Sequence, residues 1–336
     1  MSIASSRPRR RGEAGFTMVE VAVSLFLVVI MALVVERTLD STQKAEKYLS
    51  AVRKATERGH KLTYEIRELV TASRRLFFND DEGRAYLDAL ELNGLTVMPG
   101  ARMPIVDALG RLGPDESGDP RTGNILLFVG ETDATAAIAD PDGPQIRYID
   151  TYRFVACYPR QADRRVVVND ANSPNAVDLV VWQSEEFPSY KQLMAIADPT
   201  ERANVVIDLV DRFGVTMAWD PTESLENAFY SLDDQGNIGG APVVDPKIPE
   251  DPDVSAGGRL VYANVQLATT DNADSKRKAV FSMDNPNDWA PNGFEVKITG
   301  ASGSRKVWMH LVVEVLADKG RVAVQPCTII ASVKDL

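Results

Sequence analysis

The sequence predicts an α+β fold, with a long N-terminal helix whose second half packs on a mostly antiparallel β-sheet head that carries inserted helices. Three observations predict it. Residues 16–35 form an almost unbroken apolar run, residues 37–76 carry apolar side chains at helical spacing, and later segments alternate apolar and polar residues between Gly, Pro, Asn and Asp. With 44% hydrophobic and 25% charged residues over 336 positions, the composition is that of a folded protein.

The charge is unevenly distributed. The chain has a formal net charge of -11, yet the first fifteen residues hold Arg7, Arg9, Arg10 and Arg11 against Glu13 alone. An acidic body repels phosphate backbones, so we expect no nucleic-acid binding through a broad electrostatic surface.

The apolar run at residues 16–35 has about the twenty residues that a helix needs to cross a bilayer. The arginines that precede it predict, by the positive-inside rule, a cytoplasmic segment 1–15 and an exported segment beyond Glu36. A secretory signal peptide has a shorter apolar region that ends in small residues. Here the run passes directly into Glu36 and Arg37, which indicates a transmembrane helix over residues 16–36.

Glu20 is a carboxylate one turn inside this apolar run. An unpaired charge at that depth costs several kcal/mol, about 2.5–3.5 on insertion scales, so Glu20 needs a partner or a proton. The alternative is a glutamate close enough to the membrane edge to reach the headgroups.

Residues 37–76 are predicted to continue the helix as an amphipathic stem, because apolar residues recur mostly three, four and seven positions apart. These residues are Leu39, Ala45, Tyr48, Leu49, Val52, Ala55, Leu62, Ile66, Leu69, Val70 and Leu76. The predicted helix therefore covers residues 16–76.

Residues 77–336 are predicted to form the exported, β-rich head. The predicted strands are residues 124–129, 145–158, 177–182, 215–219, 259–267, 278–283, 294–299, 307–316 and 321–332. Helical spacing returns between residues 189 and 213 and predicts an inserted helix or helical pair. The Asp-, Pro- and Gly-rich stretch 220–258 is predicted to form surface loops.

The run from Gly15 to Glu20, Gly-Phe-Thr-Met-Val-Glu, resembles the processing motif of the type IV pilin superfamily. The resemblance implies that prepilin peptidase cuts between Gly15 and Phe16 and methylates the new terminus at Phe16. It also implies that Glu20 is the retained acid used in assembly. The order of stem, Asn124-Ile-Leu-Leu-Phe and Asp178-Leu-Val-Val-Trp is similar to that of the W-type minor pilins and J-type minor pseudopilins.

The resemblance implies a structural role as a minor pilin or pseudopilin in a type IV pilus or a type II secretion pseudopilus. The implied partners are the peptidase, other pilins or pseudopilins of the same filament and an inner-membrane assembly platform. The chain would lie first in the bacterial inner membrane as a single-pass protein with its head in the periplasm, and later in the filament. Arg37 stands where many major pilins have a helix-kinking proline, which favours a low-copy subunit.

Enzymatic chemistry has few candidate residues. The only histidines are His60, in the predicted stem, and His310, which strand alternation predicts to face solvent together with Glu314. No nucleophile elbow, phosphate loop or dinucleotide fingerprint occurs, so we expect no catalytic residues. The alternative is a single-pass, membrane-anchored periplasmic enzyme or binding protein that keeps its N-terminus and has a polar pocket in the head.

No cofactor or metal is expected. Residues 233–237 and 251–253 are rich in oxygen ligands, but neither has EF-hand spacing, so solvated acidic turns are predicted and calcium is the alternative. Cys157 and Cys327 have two alternatives. They form one disulfide that closes a long loop, worth about 3 to 5 kcal/mol if unstrained, or they remain two buried, reduced thiols.

Overall fold

The computed structural model describes residues 17–90, 101–106, 121–143, 145–165, 175–251, 266–267, 293–318 and 321–333. The helices are α1 (Met18–Thr71), α2 (Asp81–Ala89), α3 (Tyr190–Ala195), α4 (Pro199–Phe213) and α5 (Leu225–Ala228). The strands are β1 (Ser73–Leu76), β2 (Leu126–Glu131), β3 (Thr135–Ile138), β4 (Ile146–Ile149), β5 (Thr151–Arg165), β6 (Asn175–Pro188), β7 (Met217–Trp219), β8 (Phe229–Ser231), β9 (Gln266–Leu267), β10 (Phe294–Thr299), β11 (Arg305–Asp318) and β12 (Arg321–Val333). The predicted α+β class is confirmed.

The chain divides into two compact units, residues 1–49 and 50–336, and the division falls within α1. In the first unit, every described residue of α1 is exposed. In the second unit, one face of α1 is buried at intervals of three or four residues, by Ala51, Ala55, Gly59, Leu62, Ile66 and Val70. This spacing is that of an amphipathic helix packed on a core.

The main sheet has eight described strands, and all its ladders are antiparallel. The order runs β1-β2-β5-β6-β9-β11, and β10 and β12 also pair with β11. An isolated bridge between Gly123 and Val296 connects the segment before β2 to β10. A mostly antiparallel sheet was predicted, and its two faces are covered by two separate cores.

The core on one face lies between the sheet and the second half of α1, where Leu62, Ile66 and Val70 belong to the same cluster as Phe128 and Met309. Gly59 allows a close approach of α1 to β12, because a Cβ there would lie 2.6 Å from Cys327 Sγ. The one residue that weakens the helical pattern of the stem is therefore required by packing.

The core on the other face is aromatic. Along β2 and β5, successive side chains alternate between the two cores, as strand geometry requires. On β5, for example, Val155 belongs to the first core and Phe154 to this one. At its centre, the ring of Phe154 lies 5.7 Å from Tyr86, 5.2 Å from Trp219 and 6.0 Å from Phe229. The rings of Tyr86 and Phe229 stack on Phe154 and that of Trp219 meets it edge-on, and both are arrangements that aromatic rings prefer.

A third, smaller core forms where the β3–β4 hairpin packs on α3 and α4. Asp198 caps α4 by accepting a hydrogen bond from the backbone N–H of Thr200 at 2.9 Å, and Pro199 occupies the first turn. Gly214, with φ of 68°, ends α4 in the left-handed region. The helical pair predicted between residues 189 and 213 is confirmed.

Several predicted boundaries were wrong. The stem helix was predicted to reach residue 76, but it ends at Thr71, and Ser73–Leu76 instead pairs with β2 as strand β1. Elements α2 and β3 were not predicted, and α5 and β8 lie within the stretch predicted as loops. Only 266–267 of the predicted strand 259–267 is described, and the predicted strand 278–283 lies outside the described residues.

Candidate assembly site at the start of the N-terminal helix

The first part of α1 is the apolar segment that the sequence predicted to enter a membrane. Among the described residues, α1 is the one helix that is long and apolar enough to cross a bilayer, and none of its most apolar stretch is buried in the protein. Val19, Leu25 and Phe26 are all more than half exposed. An exposed apolar surface of this length requires a non-aqueous environment or a protein partner.

Thr17 and Glu20 form a capping box at the start of α1. The backbone N–H of Glu20 donates to Thr17 Oγ1 at 3.3 Å, and the backbone N–H of Thr17 donates to Glu20 Oε2 at 2.9 Å. The Thr17 hydroxyl also donates to Oε2 at 3.0 Å. Reciprocal bonds between an N-cap threonine and a glutamate three residues later satisfy two of the free N–H groups at a helix start.

The box fixes the direction of the Glu20 carboxylate. Both bonds from Thr17 go to Oε2, which points the carboxylate back toward the N-terminal end of the helix. The carboxylate there faces the positive end of the helix dipole, which stabilises a negative charge. The negative charge of Glu20 is thus partly stabilised by groups of its own chain, without any external partner.

The other two residues of the predicted processing site, Gly15 and Phe16, lie outside the described residues. Thr17, for which no role was predicted from the sequence, is the residue that orients Glu20. The signal was present in the sequence, because Thr-x-x-Glu directly before an apolar run is the spacing of a capping box.

The two cysteines are free thiols, and both are buried. Cys157 lies in β5 and Cys327 in β12, four steps apart in the strand order. Both side chains belong to the core between the sheet and the second half of α1, and no bond joins them. Of the two alternatives, the structure therefore has the buried, reduced pair and not the bridge between Cys157 and Cys327.

The prediction that His310 and Glu314 face solvent was wrong. Glu314 is buried and His310 is partly buried, and burial lowers the pKa of His310 below its usual value. On the neighbouring strand, Glu295, opposite His310 in the ladder, is also fully buried, so this face of the sheet is covered and does not face solvent. His60 lies on the exposed side of α1, so the two histidines share no site.

The acidic turn at residues 233–237 is closed by its own hydrogen bonds. Asp233 accepts from the side-chain amide of Asn237 at 2.9 Å and from the backbone N–H groups of Asn237 and Gln235 at 2.8 and 3.0 Å. These bonds, led by that from the Asn237 side chain, lower the pKa of Asp233. No group of three or more potential metal ligands occurs within the described parts of the chain.

The head has an open cavity of about 460 Å³ near the C-terminal end of α4, lined by both charged and apolar side chains. In its wall, Arg153 contacts Glu186 at 3.1 Å, Asp251 at 3.2 Å and Gln183 at 3.1 Å. Burial, together with the charge of Asp251, raises the pKa of Glu185. The described lining contains no histidine, serine or cysteine, and its ionisable side chains are those of Arg153, Glu185, Glu186 and Asp251.

Comparisons with known proteins give no further assignment: no protein-family model matches the chain, and no curated protein or solved structure is significantly similar to it.

Proposed function

We propose that this chain is a minor subunit of a type IV pilus-like filament, either a pilus or a type II secretion pseudopilus. In this proposal, prepilin peptidase removes residues 1–15 and methylates Phe16. The processed subunit then leaves the inner membrane, with its head in the periplasm, and joins other pilins or pseudopilins through an assembly platform. Its role is structural and not enzymatic.

The observation that carries the proposal is the position of Glu20. It stands in the first turn of the only described helix that is long and apolar enough to span a bilayer, and it follows Gly15-Phe16 at the spacing of the prepilin motif. The capping box supports the same role, because it aims the carboxylate toward the end of the chain that cleavage would create.

Cleavage supplies the counter-charge that Glu20 needs. A new ammonium at Phe16 would lie in the same apolar layer as the carboxylate, on the same chain or on a neighbouring subunit. Each charge lowers the cost of burying the other, since an isolated ion in hydrocarbon is expensive. In the structure, Oε1 of Glu20 has no hydrogen-bond partner among the described residues, so one carboxylate oxygen is available for that ammonium.

Substitution of Glu20 separates its two roles. Glu20→Gln keeps an acceptor for the capping box but removes the charge, whereas Glu20→Ala removes both. We expect both variants to enter filaments on the order of tenfold less than the wild type, measured by immunoblotting of sheared filaments, because the buried ammonium loses its partner. Glu36→Ala, at an exposed position of the same helix, is the matched control and should assemble normally.

Normal incorporation of Glu20→Gln would reject the charge pairing. It would leave Glu20 with a capping role alone, especially if Glu20→Ala then showed a defect.

One observation favours the alternative, a membrane-anchored periplasmic enzyme or binding protein. The cavity beside Arg153 is large enough for a small ligand and is lined by charged groups. Such a protein would keep its first fifteen residues, so the mass of its N-terminal peptide distinguishes the two functions.

A further inference from the structure

The β3–β4 hairpin has one strand edge that the rest of the described fold does not cover. The two strands pair antiparallel, with Ala136 opposite Tyr148 and Ile138 opposite Ile146. The backbone N–H of Ala139 donates to the carbonyl of Gln145 across the ladder at 2.9 Å. Because hydrogen-bonded and non-hydrogen-bonded pairs alternate along such a ladder, the pairs Ile138–Ile146 and Ala136–Tyr148 direct their backbone groups outward.

On the β3 side, α4 receives these outward groups. The backbone N–H of Ile138 donates to Asp208 Oδ2 at 2.9 Å, and the carbonyl of Ala136 accepts from Arg212 at 3.5 Å. These two contacts confirm the outward direction inferred from the register. The outer edge of β3 is therefore covered, because side chains of α4 bond its outward N–H and C=O groups.

On the β4 side, the corresponding groups have no such cover. The next outward donor along the chain, the N–H of Asp150, bonds to Gln192 at 2.7 Å. Ile146 and Tyr148 have no hydrogen bonds on their outer side among the described residues. An edge with free N–H and C=O groups is a template on which another strand can pair.

The face of the hairpin that turns away from α4 is apolar and exposed. Ile138, Ile146 and Tyr148 lie on it at 37%, 51% and 70% exposure, whereas Ala137 and Ile149 on the opposite face are buried against α4. A strand added at the open edge would direct every second side chain to this face, where three large apolar side chains could contact them.

The charges around the edge are acidic. Arg147 is paired with Glu201, and Arg212 with Asp208. Asp140, Asp142 and Asp150 have no basic partner in any described ion pair, which leaves the surroundings negative. A second copy of this edge would bring like charges together, whereas a basic strand would be attracted.

We infer that the outer edge of β4 is a docking site for an extended strand of another protein, with apolar residues at every second position and Lys or Arg between them. The added strand pairs with the backbone of Ile146 and Tyr148 and places its apolar side chains on Ile138, Ile146 and Tyr148. This inference does not depend on the proposed processing at Gly15.

The test uses the full chain in detergent micelles and a fluorescein-labelled heptapeptide of alternating lysine and valine. We expect the peptide to bind, measured by fluorescence anisotropy, and to slow hydrogen exchange in fragments that cover residues 145–150. Tyr148→Pro removes the outward N–H and should weaken binding on the order of tenfold. Tyr148→Thr keeps that N–H and should weaken binding less.

Control variants distinguish binding at this site from nonspecific binding of the peptide. Val244→Asp, at a position that is 89% exposed on another loop, should bind as the wild type does, whereas Ile146→Asp should not bind. Circular dichroism of each variant verifies folding. Equal binding by Tyr148→Pro, or by a peptide with glutamate in place of lysine, would overturn the inference. Concentration-dependent protection of residues 145–150 without peptide would overturn it in favour of a second copy.

Discussion

At the residue scale, Glu20 caps the start of α1 in the structure, and in the proposed function it also pairs with a charge in the filament. Its carboxylate accepts the N–H of Thr17 and completes the first turn of α1, an effect worth about 1 kcal/mol for a typical cap. That bond also orients the carboxylate toward the end of the chain. The threonine is therefore the positioning residue for the acid on which the proposed function depends.

The burial of His310 predicts a loss of stability in mild acid. Burial lowers its pKa in the folded state, so below about pH 6.5 the unfolded chain binds a proton that the folded chain does not. The stability that neutral His310 contributes is present above that pH and is lost as the pH falls through the lowered pKa. In urea titrations between pH 7 and 5, His310→Gln should reduce the decline in unfolding free energy.

His60→Gln is the matched control, because His60 is exposed on α1, and it should leave the pH dependence unchanged. An identical decline in the wild type and in His310→Gln would show that the burial of His310 has no energetic effect.

The buried thiols predict slow modification of the native protein. Burial raises the pKa of Cys157 to about 12 and also raises the pKa of Cys327, so both remain protonated at pH 8. Because the thiolate is the reactive form, iodoacetamide should label neither cysteine in the native chain and both after unfolding in guanidinium. Intact mass spectrometry counts the labels. An unlabelled chain after unfolding without reductant would instead indicate a disulfide.

At the scale of elements, α1 has different surroundings in its two halves. The side chains of residues 18–49 are all exposed, whereas the face that includes Ala55, Leu62 and Ile66 is fully buried. The sequence predicted this helix well, because its apolar spacing extends over many turns. It misplaced the end, because a four-residue segment such as Ser73–Leu76 is too short for its period to distinguish helix from strand.

The packing of α1 on the sheet predicts unequal effects of two leucine truncations. Leu62→Ala should lower the unfolding free energy of the head by about 2–5 kcal/mol, because it opens a cavity in the core. Leu49→Ala, at a position that is 65% exposed, should leave it nearly unchanged. Thermal denaturation of both variants in the same detergent compares them, and equal midpoints would contradict the packing of α1 on the sheet.

The sequence predicted the boundaries of the strands in the head more accurately than it predicted which of their side chains are buried. Predicted strand 294–299 coincides with β10, and 321–332 is within one residue of β12. The alternation of apolar and polar residues in β11 correctly placed Met309 and Leu311 on the opposite face of the strand from His310. It does not show whether another part of the chain covers the face that carries His310. The burial of Glu295 and Glu314 therefore could not be read from the sequence.

Short elements escaped prediction for a related reason. Helix α2 begins at a cap in which Asp80 accepts a hydrogen bond from the N–H of Gly83 at 2.7 Å, within a stretch whose Asn and Asp residues indicate a turn. Strand β3 has only four residues, and its partner β4 and the contacts with α4 determine its conformation. Tertiary contacts, which local sequence does not encode, decide such segments.

At the scale of the whole molecule, the chain has a basic N-terminal segment, an apolar helix start with one acid, and an acidic remainder. In the proposed function, the charge asymmetry would orient the chain in the membrane by the positive-inside rule, and the inferred β4 edge would bind a strand of another protein. Removal of residues 1–15 would eliminate the basic segment and create the one cation that Glu20 requires. The proposed function therefore depends on this cleavage.

Mass spectrometry of the chain recovered from a host that contains prepilin peptidase tests this claim most directly. We expect an N-terminal peptide that begins with Phe16 and carries one methyl group on its amine, because in the proposed function cleavage creates the cation that pairs with Glu20. A matched sample from a host without the peptidase should retain residues 1–15. An N-terminus at Met1 or Ser2 in the peptidase-containing host would contradict the account.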